Sequence, residues 1–437
     1  MIKTVISLFK NKDIRRKILF ILGMLLVYRI GAAITVPGIN TKKLISISEN
    51  QLVTMLSVLG AGSWSQFSIF AMGVGPYITA SMVIELLAMD IIPYLTELQK
   101  NGQKGRQQMD KITRYVAVVL GFIQAYTMTV TFDKSYGILT ESSITSYIFV
   151  ATILTGGSFL LVWIGDRIAQ FGIGNGISMI IFASIVSSLP YQFTSAYATL
   201  TGTEGVAFAT GLLKFILLCV MYVAIIILVI FTDTATRKIP IQYTSNSNRK
   251  GGRDINYLPL KINSASVMPV IFASTIMVAP KTIYALITNL KNFKSTDFTD
   301  KLEKIFDFFA DYTKAGGLAI YVVLIFLFTF FYTNLEVDPE QISENLNKQG
   351  TYIPGVRPGT ETKEYISKVL NRITLLGAIF LCFIAALPHL LAMFTDIPST
   401  ITMGGTSIII VVGVALETVK DLENQLTQKE YKGFMKR

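Results

Sequence analysis

Arg357 stands in the stretch Tyr352-Ile353-Pro354-Gly355-Val356-Arg357-Pro358-Gly359, where two prolines and two glycines exclude a helix. A guanidinium at the tip of so stiff a turn offers a planar fork suited to carboxylates or RNA phosphates. A plain solvated arginine in a tight loop is the alternative. Residues for covalent chemistry are scarce elsewhere. His389 is the single histidine, so a histidine-built metal centre is excluded, and neither H-E-x-x-H nor a serine elbow motif accompanies it. Cys219 and Cys382 fall in apolar runs and read as buried free thiols. No G-x-x-x-x-G-K-[ST] occurs, so no P-loop nucleotide site is expected. Gly172-Ile173-Gly174-Asn175-Gly176 resembles a phosphate loop only weakly, lacking a strand before it, and reads as a tight connection between spans. Glu85, Glu417 and Asp90 lie at or beyond span ends, which argues against an ion-coupled carrier with buried carboxylates. No catalytic residue, cofactor or metal is expected.

The elements that must position Arg357 are membrane helices. The chain has 437 residues, 51% hydrophobic and only 15% charged, whereas soluble domains carry roughly 25% charged residues. Apolar runs cover 18–36, a broken stretch at 60–89, then 115–131, 147–164, 177–189, 206–231, 264–279, 318–332, 373–394 and 399–419, about ten spans judged against the ~20 residues a bilayer requires. The runs at 177–189 and 264–279 look like inner helices, being short, serine-spotted or interrupted by Pro269. Arg29 lies within the first span and needs a partner that the sequence does not name.

The formal net charge of +11 must reside in loops. Residues 1–17 are strongly basic, as are 96–113, with Lys100, Lys104, Arg106 and Lys111, and 233–262, with Arg237, Lys238, Arg249, Lys250, Arg253 and Lys261. Such loops belong on the cytoplasmic side with 334–368 and both termini, and they favour an anionic lipid surface or acidic and RNA-rich partners. The opposite loop 190–205 is nearly uncharged. In 281–317, Leu302, Ile305, Phe306 and Phe309 recur at helical spacing, as in a helix lying on the membrane surface. Asp338 followed by Pro339 is a helix start, with Ile342 and Leu346 on one face and Gly350 at the end.

The interrupted stretch 60–89 is the most unusual. Gly60, Gly62 and Ser63 break its start, and Gly73-Val74-Gly75-Pro76 break its middle. Unpaired backbone in hydrocarbon is costly, so the break must be buried in protein or line a watery cavity. A kinked membrane helix without special role is the alternative.

Pro76-Tyr77-Ile78-Thr79-Ala80-Ser81, Gly172 to Ser178, Ile353 to Gly359, and Gly404-Gly405-Thr406-Ser407 before an apolar run together resemble the SecY family, pore subunits of the bacterial protein translocon. The resemblance runs from Arg15 to Phe434. It implies an all-α integral membrane protein of ten transmembrane helices in two inverted halves, 1–190 and 191–437, hinged near 190–205. It implies a plug at about 55–68, including Gly60, Ala61, Gly62, Ser63 and Trp64. A pore ring would comprise Val74, Ile78, Ile177, Ile181, Ile271 and Ile410, with Val74 where isoleucine is common. Helices two, three, seven and eight would form a lateral gate. Asp338-Pro339 replaces the frequent Asn-Pro, a change expected to be neutral because both are good caps.

The implied activity is passage of signal-sequence-bearing, unfolded polypeptides across the bacterial cytoplasmic membrane and release of transmembrane segments into lipid. The chain would be a channel rather than an enzyme. The SecA ATPase or a translating ribosome would dock on Arg357, Arg249, Lys250, Arg253 and Arg106. SecE would clamp the helices from outside, and SecG is a further implied partner. The alternatives are a small-solute secondary transporter with a broken-helix site, or an accessory member of the family serving few substrates.

Overall fold

The computed structural model describes residues 12–40, 67–89, 91–201, 206–243, 256–277, 280, 315–394 and 404–434. The chain is mostly helical and divides into two compact units. One unit comprises Met1–Thr199, Ser274–Asp311 and Pro398–Arg437, and the other Leu200–Ala273 and Tyr312–Ile397.

The first unit holds α1 (Lys12–Ala33), α2 (Gly75–Leu87), α3 (Pro93–Lys100), α4 (Gly102–Tyr136), α5 (Ile144–Phe171), α6 (Gly176–Leu200) and the last helix, α12 (Gly404–Phe434). The joints between these helices are set by local chemistry. Helix α4 ends at Gly137, whose φ of +60° is the left-handed conformation a glycine adopts freely. One turn before it, buried Asp133 accepts hydrogen bonds from the Leu139 backbone at 2.9 Å and the Tyr147 hydroxyl at 2.7 Å, tying the end of α4 to the start of α5. Ser143 caps α5 by accepting from the Thr145 amide. The Asn175 side chain accepts from Ile177 and Ser178 amides and so caps α6.

The second unit holds α7 (Val206–Thr234), strands β1 (Thr236–Tyr243) and β2 (Asn256–Lys261), the short helix α8 (Met268–Met277) as far as Ala273, α9 (Ala315–Glu336), α10 (Pro339–Lys348), β3 (Thr351–Tyr352) and α11 (Thr360–Phe394). The strands form one antiparallel sheet in the order β2-β1-β3. Its apolar face, with Ile239 and Leu260, packs with Leu346, Ile353, Ile366 and Ile373 into a small core. Asp338 accepts from the Glu340 amide at 2.8 Å and caps α10 with Pro339 in its first turn, as its sequence predicts.

Among the described residues, α4, α5, α6, α7, α9 and α11 are long and apolar enough to cross a membrane, and α2 and α8 are shorter apolar helices. The structure refines three stretches. The basic stretch 96–113, expected as a loop between spans, is built of α3 and the first turns of α4. It is helical because Leu95 and Leu98 pack with Ile84, Ala88, Met109 and Ile112, giving the charged stretch a buried face. The run at 177–189 is not short. Helix α6 continues to Leu200 with Pro190 inside it, so residues 190–200 are helix rather than loop. Just ahead of the proline, the Ser187 and Ser188 hydroxyls donate to the carbonyls of Ser184 and Ile185. The stretch 233–262, read as a loop, carries the β1–β2 ribbon.

Candidate functional site

The break in the second apolar stretch is real and it is buried. Residues 67–74 form consecutive turns, and helix begins only at Gly75 with Pro76 in its first turn. Pro76 has no amide hydrogen to leave unpaired there, which is why the helix starts at that point. Phe67, Phe70, Ala71, Met72 and Val74 are all at most 2% exposed. Several backbone groups of the stretch are paired individually. The Val36 amide donates to the Phe67 carbonyl at 3.1 Å and Ile69 donates to Ile34 at 2.9 Å, around an isolated antiparallel bridge between Thr35 and Ser68. Inside the break, Ala71 donates to Ser68 and Gly73 to Phe70, both at 2.9 Å. The Gly73 carbonyl, facing away from these turns, accepts the Ser158 hydroxyl of α5 at 2.7 Å.

Two glycines let the helices close on this segment. A Cβ at Gly157 of α5 would collide with the Ile69 carbonyl, and one at Gly31 of α1 would collide with the Phe70 ring. Phe70 also stacks on Tyr28 with centroids 6.2 Å apart, and Phe67 meets Phe132 edge-on at 5.9 Å. No charged side chain lies within 67–74. The arrangement is a buried, charge-free unwound segment whose backbone is in large part paired, with the buried Ser68 hydroxyl left without a partner among the described residues.

Of the expected ring, Val74 is fully buried and Ile78, one turn into α2, is 8% exposed; the Ile78 amide donates to the Val74 carbonyl at 3.1 Å. Ile177, half-buried, sits at the start of α6 and packs against Gly165 of α5, while Ile181 one turn later is buried. Ile410 is buried in α12 of the same unit, and Ile271 is buried in α8 of the second. At the α5–α6 turn, Gly174 adopts φ +74° beside Thr418 and Asp421 of α12, and the Thr418 hydroxyl lies 3.6 Å from the Met179 sulfur of α6. Helix α12 is thus seated on the glycine-rich connection. Gly60, Ala61, Gly62, Ser63 and Trp64, with the rest of the expected plug up to residue 66, lie outside the described residues.

The second unit carries the arginine turn. Ile353 is buried in the small core and accepts from the Val356 amide at 3.1 Å. Gly355 and Gly359 take φ of +84° and +103°, conformations closed to most L-residues. The far side is pinned where Thr362 donates to the Arg357 carbonyl at 2.8 Å and Ser343 of α10 donates to the Gly359 carbonyl at 2.8 Å. Lys363 and Glu340, 2.7 Å apart, hold α11 to α10 beside it. From this fixed turn the Arg357 side chain projects 88% exposed, and among the described residues its ion-pair partner is Glu361 at 3.9 Å. An exposed pair that long contributes little, so the guanidinium stays available. Arg106 is exposed near the start of α4 in the first unit, and Arg249, Lys250 and Arg253 lie outside the described residues. So do the surface-helix positions Leu302, Ile305, Phe306 and Phe309.

Some contacts had no signal in the sequence. Arg29 donates to the Ser187 hydroxyl at 3.0 Å, a partner 158 positions away. His389 is buried with its ring edge-on to Tyr321, and the Cys382 thiol donates to the Val322 carbonyl at 3.4 Å. Cys219 is half-buried rather than buried, because its helix turns a broad apolar face outward.

Comparison with known proteins agrees along the whole chain. A family model described as SecY matches residues 68–419. The protein translocase subunit SecY of Bacillus subtilis (strain 168) is 46% identical over 441 residues, covering 100% of both chains. That of Staphylococcus aureus (strain NCTC 8325 / PS 47) is 43% identical over 439 residues, covering 99% of each. Among solved structures, a protein conducting channel superposes with TM-score 0.63 at 15% identity, covering 94% of this chain and 92% of the other. Sec61 from a canine ribosome–channel complex superposes with TM-score 0.60 at 14% identity over the same shares. With this extent and identity, the chain belongs to the SecY family.

Proposed function

We propose that the chain is the pore subunit of a protein-conducting channel in the bacterial cytoplasmic membrane. It passes unfolded polypeptides across and releases apolar segments sideways into lipid. The observation that carries this reading is the unwound, charge-free segment 67–74 held inside protein, leading directly into Val74 and Ile78. A narrow apolar constriction offers water and ions no hydrogen-bonding path when empty, yet has no chemical preference among the side chains of a passing polypeptide. No observation favours the small-solute carrier.

In this reading ten helices form two inverted halves, 1–190 and 191–437, with both termini in the cytoplasm. Val74, Ile78, Ile177, Ile181, Ile271 and Ile410 form the ring, and residues 55–68, with Gly60 to Trp64 at the centre, plug it from one side. Energy comes from SecA or a translating ribosome, docking on Arg357 together with Arg106, Arg249, Lys250 and Arg253. Support for docking is the pinned turn: a side chain on a rigid mount loses little entropy when a partner engages it. SecE clamps the helices, and SecG joins the complex.

The test is reconstitution. Vesicles containing the chain with a SecE-type subunit should protect a signal-bearing precursor from protease when SecA and ATP are added. Complete degradation of the precursor, with both subunits shown to be inserted, would reject the proposal.

A further inference from the structure

Val74 stands between Gly73 and Gly75, at the joint where the unwound segment passes into α2. Glycines on both sides leave its direction undecided by local sterics, and Gly73 itself sits at φ +56°. The start of α2 has no side-chain cap to fix the joint either. What holds it comes from another helix. The hydroxyl of Ser158 on α5, a residue 4% exposed, donates to the Gly73 carbonyl at 2.7 Å. That carbonyl and the Val74 amide belong to one planar peptide unit. Ser158 therefore grips the plane from which the Val74 side chain departs.

Packing alone does not fill the space around this bond. A small cavity adjoins Ser158, lined also by Tyr77 of α2, Gly121 of α4 and Thr155 of α5. The Thr155 hydroxyl is committed to its own helix, donating to the Ala151 carbonyl at 2.7 Å. Among the described residues the recorded side-chain donor to the Gly73 carbonyl is thus Ser158. Without it a buried acceptor would stand unpaired, which favours rotation of the peptide in search of a donor. Any such rotation redirects Val74.

We infer that Ser158 is a positioning residue for the constriction, setting the direction of Val74 by holding the Gly73–Val74 peptide. The inference rests on the pore reading, in which Val74 belongs to the ring. It adds that the tightness of the seal is set from α5, by a residue outside that ring.

The test is the ion leak of the purified channel in planar bilayers. Ser158→Ala should raise the leak about fivefold, the population ratio equivalent to ~1 kcal/mol for a lost buried hydrogen bond. Ser158→Thr keeps the hydroxyl and should leak no more than the parent. Ser158→Cys, with a weaker donor of similar size, should fall between, and it carries the test if the alanine variant does not insert. Thr155→Val removes a hydroxyl from the same cavity without touching Gly73, and should leave the leak at the parent level. Leak from Thr155→Val equal to that of Ser158→Ala would overturn the inference in favour of general loosening of α5. A leak-free Ser158→Ala beside a leaking Ile181→Asn would overturn it while sparing the pore reading. If neither variant leaks, the positioning role and the pore reading fall together.

Discussion

Ser158 of α5 hydrogen-bonds the carbonyl of Gly73 at 2.7 Å across 85 positions of sequence. That bond gives the Gly73 carbonyl of the unwound segment a partner on α5. A buried carbonyl without a partner costs ~1–3 kcal/mol, and adjacent Gly157 leaves no side chain between the two backbones.

Removing the hydroxyl should therefore loosen the break. Ser158→Ala should destabilise the folded protein by ~1–3 kcal/mol, seen as an earlier thermal unfolding transition in detergent. Gly157→Leu should be worse, because its side chain must displace the Ile69 carbonyl. An unchanged transition for Ser158→Ala would mean that another donor takes over the Gly73 carbonyl.

Ile181 is buried within α6, and in the pore reading it belongs to the seal. Ile181→Asn should hydrate the constriction and raise ion conductance of the purified channel in planar bilayers. A plain core role would instead lower the yield of folded protein while leaving conductance flat.

Arg357 should be separable from folding, since its side chain is 88% exposed and its turn is held through backbone groups. Arg357→Glu should insert normally, yet abolish both stimulation of SecA ATPase and export of a secreted precursor. Arg357→Lys should keep part of the activity, because the charge persists without the planar fork. Normal export by the Glu variant in reconstituted vesicles would return this residue to an ordinary solvated charge.

Orientation can be read by thiol labelling in a background lacking Cys219 and Cys382. Cysteines at Gln107, Ser245 and Gln349 should resist an impermeant reagent in intact cells, and one at Ser295 should react. Outside labelling at Ser245 would invert the proposed topology.

What the sequence by itself determined is what a few adjacent residues can enforce. Gly73 to Pro76 interrupt a helix wherever they are placed, since proline lacks the donor and glycine tolerates the φ of +56° found at Gly73. Asp338-Pro339 starts α10, and the residues around Arg357 form a turn, for the same local reasons. The tertiary structure decided the pairings. Strand β1 hides from periodicity because Pro240 interrupts it and Pro259 interrupts its neighbour. In the register Lys238↔Pro259 and Pro240↔Tyr257, both prolines share one parity, so each can direct its donorless nitrogen away from the β1–β2 ladder. Strand β3 pairs only Gln242 and Tyr243, leaving Pro240 beyond its reach. Ser187 as partner of Arg29, and Ser158 as partner of Gly73, follow likewise from helices brought together in space. Hydrogen bonds across 85 or 158 positions leave no repeat in the chain, because the backbone between them sets neither distance nor direction.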